Sequence, residues 1–339
     1  MTKISPIRRL LFILLTLTSL YSTAQQQPTT MNKSQNPLLC DPETGICETP
    51  LHKSKSITST QPITNNKPLT IIYFTDPICS SCWGIEPQLR KLKLEYGHEV
   101  TVEYKMGGLL PDWSYNSGGI SKPSDVAHHW DEVSLYYQMP IDGDVWLEDP
   151  LHSSFPPSIA FKAAQLQDNH LAILFLRELR EQVFLKKKNI TRWEVIETAA
   201  QKVGLDALKL KKDYTTVADS FFKEDLKLAA SLGVRGFPTF FIQNKEGKQE
   251  TIYGSKPYEA YEQAIKKLFP TTTSQSYSKQ WEELFKTYPT LTAKEFSVLT
   301  DQSLSASTNQ LKELTKQNVL KELTTKNGSL WSINNVKEK

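Results

Sequence analysis

The run Leu69-Thr-Ile-Ile-Tyr-Phe-Thr75, followed after Asp76-Pro-Ile78 by Cys79-Ser-Ser-Cys82, most constrains what this chain can fold into. Its β-branched and aromatic residues, bounded by Pro68 and Asp76-Pro77, predict a buried strand. A helical stretch from Trp83 to Tyr96 follows, closed by Gly97. Val100-Thr-Val-Glu-Tyr-Lys105 then alternates as a second strand before Gly107-Gly108. Strand, helix and strand in this order make a βαβ unit. Four cysteines in 339 residues are too few to staple a scaffold of this size, so they are candidates for chemistry.

From about Leu109 to Ala230 the strand signal vanishes. Pro157–Leu166, Leu171–Leu185, Trp193–Lys202 and Ala207–Tyr214 carry apolar residues at helical spacing, in a block too long to be a loop. Strands resume at Thr239-Phe-Phe-Ile-Gln243, and a turn at Lys245-Glu-Gly247 leads to Glu250-Thr-Ile-Tyr253. An amphipathic helix over Tyr258–Phe269 completes the order βαβ, helical insertion, ββα. After Pro270 a Thr/Ser/Gln linker precedes helical patterns at Lys279–Lys286, Ala293–Thr300 and Ala306–Gln317. Val319–Leu323 and Ser329–Ile333 flank an Asn327-Gly328 hairpin turn. This is the outline of a winged helix, read here as a packing or dimerisation module. Gln310, Lys312 and Lys316 form no basic cluster, and a net charge of +3 with interleaved signs offers nucleic acid no basic face.

The N-terminus carries Lys3, Arg8 and Arg9, an apolar run from Leu10 to Leu20 and the small-residue site Ser22-Thr23-Ala24. This pattern predicts a signal peptide over residues 1–24. The apolar run falls short of the ~20 residues needed to cross a bilayer, and no other segment reads as transmembrane. The expected compartment is periplasmic or extracellular, with no membrane span after cleavage. Residues 25–67, rich in Gln, Thr, Ser, Asn and Pro, read as a flexible leader. Within it, Cys40-Asp-Pro-Glu-Thr-Gly-Ile-Cys47 holds turn formers between two thiols. The expected units are therefore 1–24, 25–67, 68–270 (with the insertion at about 109–230) and 271–339.

Two thiols three residues apart at a helix start have a specific use. Unpaired N–H groups and the partial positive charge there favour thiolate at Cys79, expected to be the more exposed of the pair. A thiolate exchanges with a disulfide through a mixed intermediate, which Cys82 would resolve. Ser80-Ser81 supplies donors but no imidazole cation. A structural disulfide, or a zinc site completed by Cys40 and Cys47, are the competing readings. The second mark is Val234-Arg-Gly-Phe-Pro-Thr-Phe-Phe-Ile242, where Pro238 opens a strand. Base rates for X-Pro bonds favour trans there; a cis bond would present a backbone edge to a peptide.

Asp76-Pro-Ile-Cys-Ser-Ser-Cys-Trp-Gly-Ile-Glu-Pro87, Met106-Gly-Gly-Leu109, Gly143-Asp-Val-Trp146 and Gly233-Val-Arg-Gly-Phe-Pro238 resemble the DsbA family of thioredoxin-fold proteins, and within it the FrnE-like branch. The resemblance covers roughly Leu69 to Phe269. It implies an α/β thioredoxin fold with a large helical insertion, Cys79 as nucleophile, Cys82 as resolving thiol and Pro238 as a cis-proline. The Ser-Ser dipeptide departs from DsbA itself and leaves the direction of catalysis open. The expected function is an exported thiol–disulfide oxidoreductase. Its partners would be exported proteins with thiols or disulfides and an unidentified redox partner, with no cofactor and no metal.

An adaptor on a DsbA-like scaffold is the alternative, because FrnE-like relatives in Gram-positive bacteria act as adaptors for a cytosolic protease. A glutathione-using isomerase of the hydroxychromene-carboxylate type carries a Ser at the position of Cys79 and no resolving thiol, which this chain does not match. Cys40 and Cys47 read equally as a second redox pair or as an inert disulfide loop. His128-His129 are adjacent on a helix and point to different faces, unsuited to joint ligation. Lys186-Lys-Lys188 suits a helix C-terminus. Trp113, Tyr115, Trp130, Tyr136, Tyr137 and Trp146 read as either a peptide groove or core.

Overall fold

A computed structural model describes residues 40–41, 45–48, 67–114 and 122–334. The signal-peptide reading, most of the leader and Tyr115 lie outside the described residues. The first described elements are two short strands, β1 (Cys40–Asp41) and β2 (Ile46–Glu48). β3 (Leu69–Thr75) follows, buried at every position, then α1 (Ser80–Gly84), α2 (Glu86–Tyr96) and β4 (Val100–Met106). β3 and β4 pair in parallel from Leu69↔Val100 to Thr75↔Met106. The stretch read as one helix from Trp83 is thus two. Pro87 stands in the first turn of α2, where its missing N–H goes unused, and Ile85 (φ −94°, ψ 0°) makes the joint.

The helical block comprises α3 (Pro123–Tyr137), α4 (Val145–Glu148), α5 (Phe155–Gln165), α6 (Asn169–Leu185), α7 (Trp193–Lys202), α8 (Ala207–Thr216) and α9 (Ala218–Ser231). Asp168 caps α6 and Asp206 caps α8, each accepting from backbone N–H groups of the first turn. A two-residue strand β5 (Gly236–Phe237) precedes β6 (Thr239–Asn244), β7 (Gln249–Tyr253) and α10 (Tyr258–Leu268). The central sheet has the order β4-β3-β6-β7, with β6 antiparallel to both β3 and β7. Stacked Tyr73 and Phe240, with centroids 4.4 Å apart, fill one of its faces.

The C-terminal part is α11 (Trp281–Thr287), β8 (Thr290–Thr292), α12 (Ala293–Thr300), α13 (Leu304–Lys316), β9 (Leu320–Thr325) and β10 (Gly328–Ile333). β8, too short to read from sequence, makes the hairpin a three-stranded sheet of order β8-β10-β9. A small core of Leu284, Phe285, Leu291, Phe296, Leu299, Leu311, Leu320 and Trp331 holds it together. The hairpin tip does not project into solvent. Asn327 donates to Asp131 Oδ1 and to the Ile141 carbonyl, both at 2.8 Å, so the tip is docked on α3 and the loop after it. The fold is α/β, a thioredoxin-like domain with a helical insertion and a winged-helix-like module. Among the described residues no helix is long and apolar enough to cross a membrane.

Candidate functional site

The site starts at the C-terminal end of β3. Asp76 is fully buried there, and its carboxylate ties three segments together. Oδ1 accepts from the Ile78 N–H at 3.0 Å, while Oδ2 accepts from the Leu109 N–H at 2.8 Å and the Ser154 hydroxyl at 2.9 Å. Burial outweighs these donors and pushes the Asp76 carboxyl up to about 6. The turn delivers Cys79 to the N-cap of α1, where its Sγ accepts from the Cys82 N–H at 3.1 Å.

Both thiols are free and wholly buried. Burial pushes the Cys79 thiol well up, and its sulfur neighbour Cys82 adds to the effect. For Cys82 burial acts upward too, but the hydrogen bond from Cys79, the Arg180 charge and the Thr75 hydroxyl outweigh it and hold that thiol below its ordinary value. The proton is therefore held more tightly on Cys79 than on Cys82. This departs from the expected exposed thiolate at Cys79. The physical reason is twofold: α1 has only five residues and little dipole, and a strand of the leader covers the sulfur.

That strand is β2. It pairs antiparallel with β5, Cys47 opposite Phe237 and Glu48 opposite Gly236, and with β1, where Cys40 stands opposite Cys47. Cys47 is buried and disulfide-bonded, and the Cys79 thiol donates to its Sγ at 3.4 Å. The Phe237–Pro238 bond is cis, as the resemblance implied, and the Pro238 carbonyl accepts from the Gly254 N–H at 2.8 Å. Two glycines permit the close approach. A Cβ at Gly236 would stand 2.5 Å from Ile46 Cγ2 and 2.6 Å from the Cys47 carbonyl oxygen. Gly45, at φ +67°, would place one 2.5 Å from Ser255 Cβ. Cys47, Cys79 and the edge before Pro238 thus converge, although Cys47 and Cys79 lie 32 residues apart in sequence.

Sequence reasoning missed the polar frame behind the thiols. Arg180 of α6 is buried, donates to the Asp76 carbonyl at 3.2 Å and to Thr75 Oγ1 at 2.5 Å, and pairs with Glu86 at 2.6 Å. Arg177 lies 4.3 Å over the Trp83 ring. Arg177, Arg180 and Glu181 interrupting the apolar Leu171–Leu185 pattern were the available signal. Tyr137 donates to Ser81 Oγ at 3.0 Å. The aromatic residues do not line a groove at this site. Trp130 and Trp146 are fully buried and pack edge-to-face, with Trp113 against Trp146. His128 is exposed and pairs with Glu132, whereas His129 is buried. Among the described residues no group of three His, Cys, Asp or Glu side chains is arranged to hold a metal ion.

The family profile described as Thioredoxin matches residues 73–263. Among curated proteins, the ClpXP adapter protein SpxH of Halalkalibacterium halodurans is 34% identical over 307 residues, covering 89% of this chain and 99% of its own. SpxH of Bacillus subtilis is 31% identical over 270 residues, covering 78% of this chain and 89% of its own. Among solved structures, a Nitrosomonas europaea protein described as a disulfide isomerase aligns with a TM-score of 0.52 at 20% identity, over 60% of this chain and 97% of its own, a likeness of fold. The expectation of an exported oxidoreductase is corrected by these relatives: those that share nearly the whole chain are adapters, and the thiols meant to do the chemistry are sealed. The chain belongs to the thioredoxin family, with a DsbA-like helical insertion in its fold and the SpxH adapters among its relatives.

Proposed function

We propose that this protein is a non-catalytic adaptor that binds partner proteins on a DsbA-like scaffold. The observation that carries the reading is the 34% identity to an SpxH adapter over 89% of this chain and 99% of that protein. The buried, protonated Cys79 supports it, since an efficient thiol catalyst needs an accessible thiolate. The motifs around Cys79 and Pro238 support placing the chain in the FrnE-like branch. The relatives' name makes ClpXP the first partner to test. The expected outcome is saturable binding of purified ClpXP to the full chain, retained in Cys79→Ser and Cys82→Ser variants, with no acceleration of insulin reduction. Insulin turnover that vanishes in Cys79→Ser, together with no detectable ClpXP binding, overturns the reading.

The N-terminal pattern of Lys3, Arg8, Arg9 and Leu10–Leu20 supports export, which would separate the chain from a cytosolic protease. On that reading the adaptor serves an extracytoplasmic protein partner. Cell fractionation with intact-mass measurement decides the matter. A product lacking residues 1–24 outside the cytosol gives the adaptor an extracytoplasmic partner, whereas an unprocessed 38.6 kDa chain in the cytosol assigns it to ClpXP.

A further inference from the structure

We infer that β2 is a covalent latch, in which Cys79 exchanges with the Cys47 disulfide and so fixes or frees the leader on the β5 edge. The inference rests on the adaptor reading for its consequence, because the edge that β2 occupies offers backbone groups on which a partner strand could add.

Four observations converge on the latch. The leader strand is paired to β5 through Cys47↔Phe237 and Glu48↔Gly236. The Cys79 and Cys47 sulfurs are 3.4 Å apart, in van der Waals contact and ready for exchange. Gly236 and Gly45 leave room for the leader that no side chain would leave. Ser255 donates its N–H to the Gly45 carbonyl at 2.8 Å, pinning the turn that carries the strand. The local sequence is therefore fitted to hold this particular segment.

The exchange balances within one chain. Cys79, deprotonated, attacks Cys47 Sγ; a Cys79–Cys47 bond forms and the existing bond of Cys47 breaks. The leaving thiolate belongs to Cys40, the remaining cysteine of the four and the residue opposite Cys47 in the ladder, and it takes up the proton lost by Cys79. Cys82 then attacks Cys79 Sγ, forming Cys79–Cys82 and releasing Cys47 as thiolate, which takes up the Cys82 proton. Two electrons pass from the Cys79/Cys82 dithiol to the leader disulfide without an external oxidant. The mixed disulfide clamps β2 on the edge; completed exchange leaves it held by backbone hydrogen bonds alone. Because burial keeps the proton on Cys79, the exchange accelerates as pH rises.

The test is disulfide mapping of the full chain after acid quenching at graded pH. In a Cys82→Ser variant carrying one disulfide, the Cys47–Cys79 peptide should accumulate, about tenfold faster per pH unit well below the Cys79 pKa. Its absence at every pH, with only the Cys40–Cys47 peptide recovered, overturns the latch. Gly236→Val is the second arm: it expels β2 by steric clash, and Cys79 alkylation should rise at least tenfold while circular dichroism stays native. Unchanged alkylation also overturns the inference. Partner capture separates this inference from the adaptor reading beneath it. Binding that is equal in parent and Gly236→Val removes the latch's control of docking and leaves the adaptor intact. Loss of binding in both removes the adaptor reading, while the disulfide map still decides the exchange.

Discussion

At the residue scale, Asp76 shows how one buried carboxyl can organise a site and at the same time burden it. Its raised value means the folded state holds a proton more tightly than the unfolded chain. The stabilisation from protonated Asp76 is fully present below the ordinary carboxyl range, near 3.8, and is lost as pH rises through about 6. The linked change is about 3 kcal/mol for a shift of this size. Urea denaturation at pH 4 and pH 7 should show that Asp76→Asn flattens the pH dependence by roughly this amount relative to the parent. An equal pH dependence in the two proteins would show that the carboxyl titrates normally. Asp76→Asn also lowers stability at both pH values, because an amide cannot accept from Ile78, Leu109 and Ser154 together. Cys79 gives a second prediction at this scale. Iodoacetamide should label it at least tenfold more slowly than a model thiol at pH 7, because only the thiolate reacts and the sulfur is covered. Labelling at the model rate would mean that β2 does not cover it.

At the scale of elements, the C-terminal module is anchored through charges that have left water. Glu295 sits in the first turn of α12 and makes a reciprocal cap with Thr292: its own N–H donates to Thr292 Oγ1 at 3.2 Å, and its Oε2 accepts from the Thr292 N–H at 2.8 Å. The same carboxylate receives Arg177 from α6 at 2.7 and 3.1 Å and Arg90 from α2 at 3.2 Å. Burial would raise Glu295, but the two guanidinium groups outweigh it and hold the carboxyl low. Its stabilisation is accordingly present above the ordinary carboxyl range and lost as pH falls, opposite in sign to Asp76. Glu295→Gln retains the cap but leaves the buried Arg177 to Glu181 alone and the buried Arg90 to the more distant Glu86, at a cost of about 3 kcal/mol in chemical denaturation. A loss under 1 kcal/mol would show that water reaches the cluster. The exposed pairs of Lys326 with Asp131 and Asp144 are a contrast, since such surface pairs contribute about 0–1 kcal/mol.

At the scale of the whole molecule, β2 is attached to the domain by far fewer contacts than the central strands are. It is held by a few backbone pairs and one disulfide, whereas β3 is buried at every residue and paired on both sides. Hydrogen exchange after reduction with dithiothreitol should therefore show protection at Cys47 and Phe237 falling at least tenfold, while β3 and β6 keep theirs. Uniform loss across the sheet would mean that the leader is integral to the core. The winged-helix-like module packs against the helical insertion, with its hairpin tip committed to Asp131 of α3 and to the Ile141 carbonyl.

Local pattern in the sequence was enough to place the strands of the central sheet and their succession along the chain, because β-branched runs and helical periodicity are signals that repeat within a few residues. It also determined the placement of Cys79 and Cys82 at a helix start, and motif resemblance carried the cis Phe237–Pro238 bond. Short elements such as β5 and β8 escaped, since two or three residues form a strand only when a neighbour supplies the hydrogen bonds. Tertiary structure alone decided that Glu295 meets Arg90 and Arg177, and that the leader doubles back onto the β5 edge. It also decided that Cys79 is a covered thiol. The charge state of a sulfur depends on what excludes water from it, and here that is a strand more than thirty residues upstream whose docking no local pattern announces.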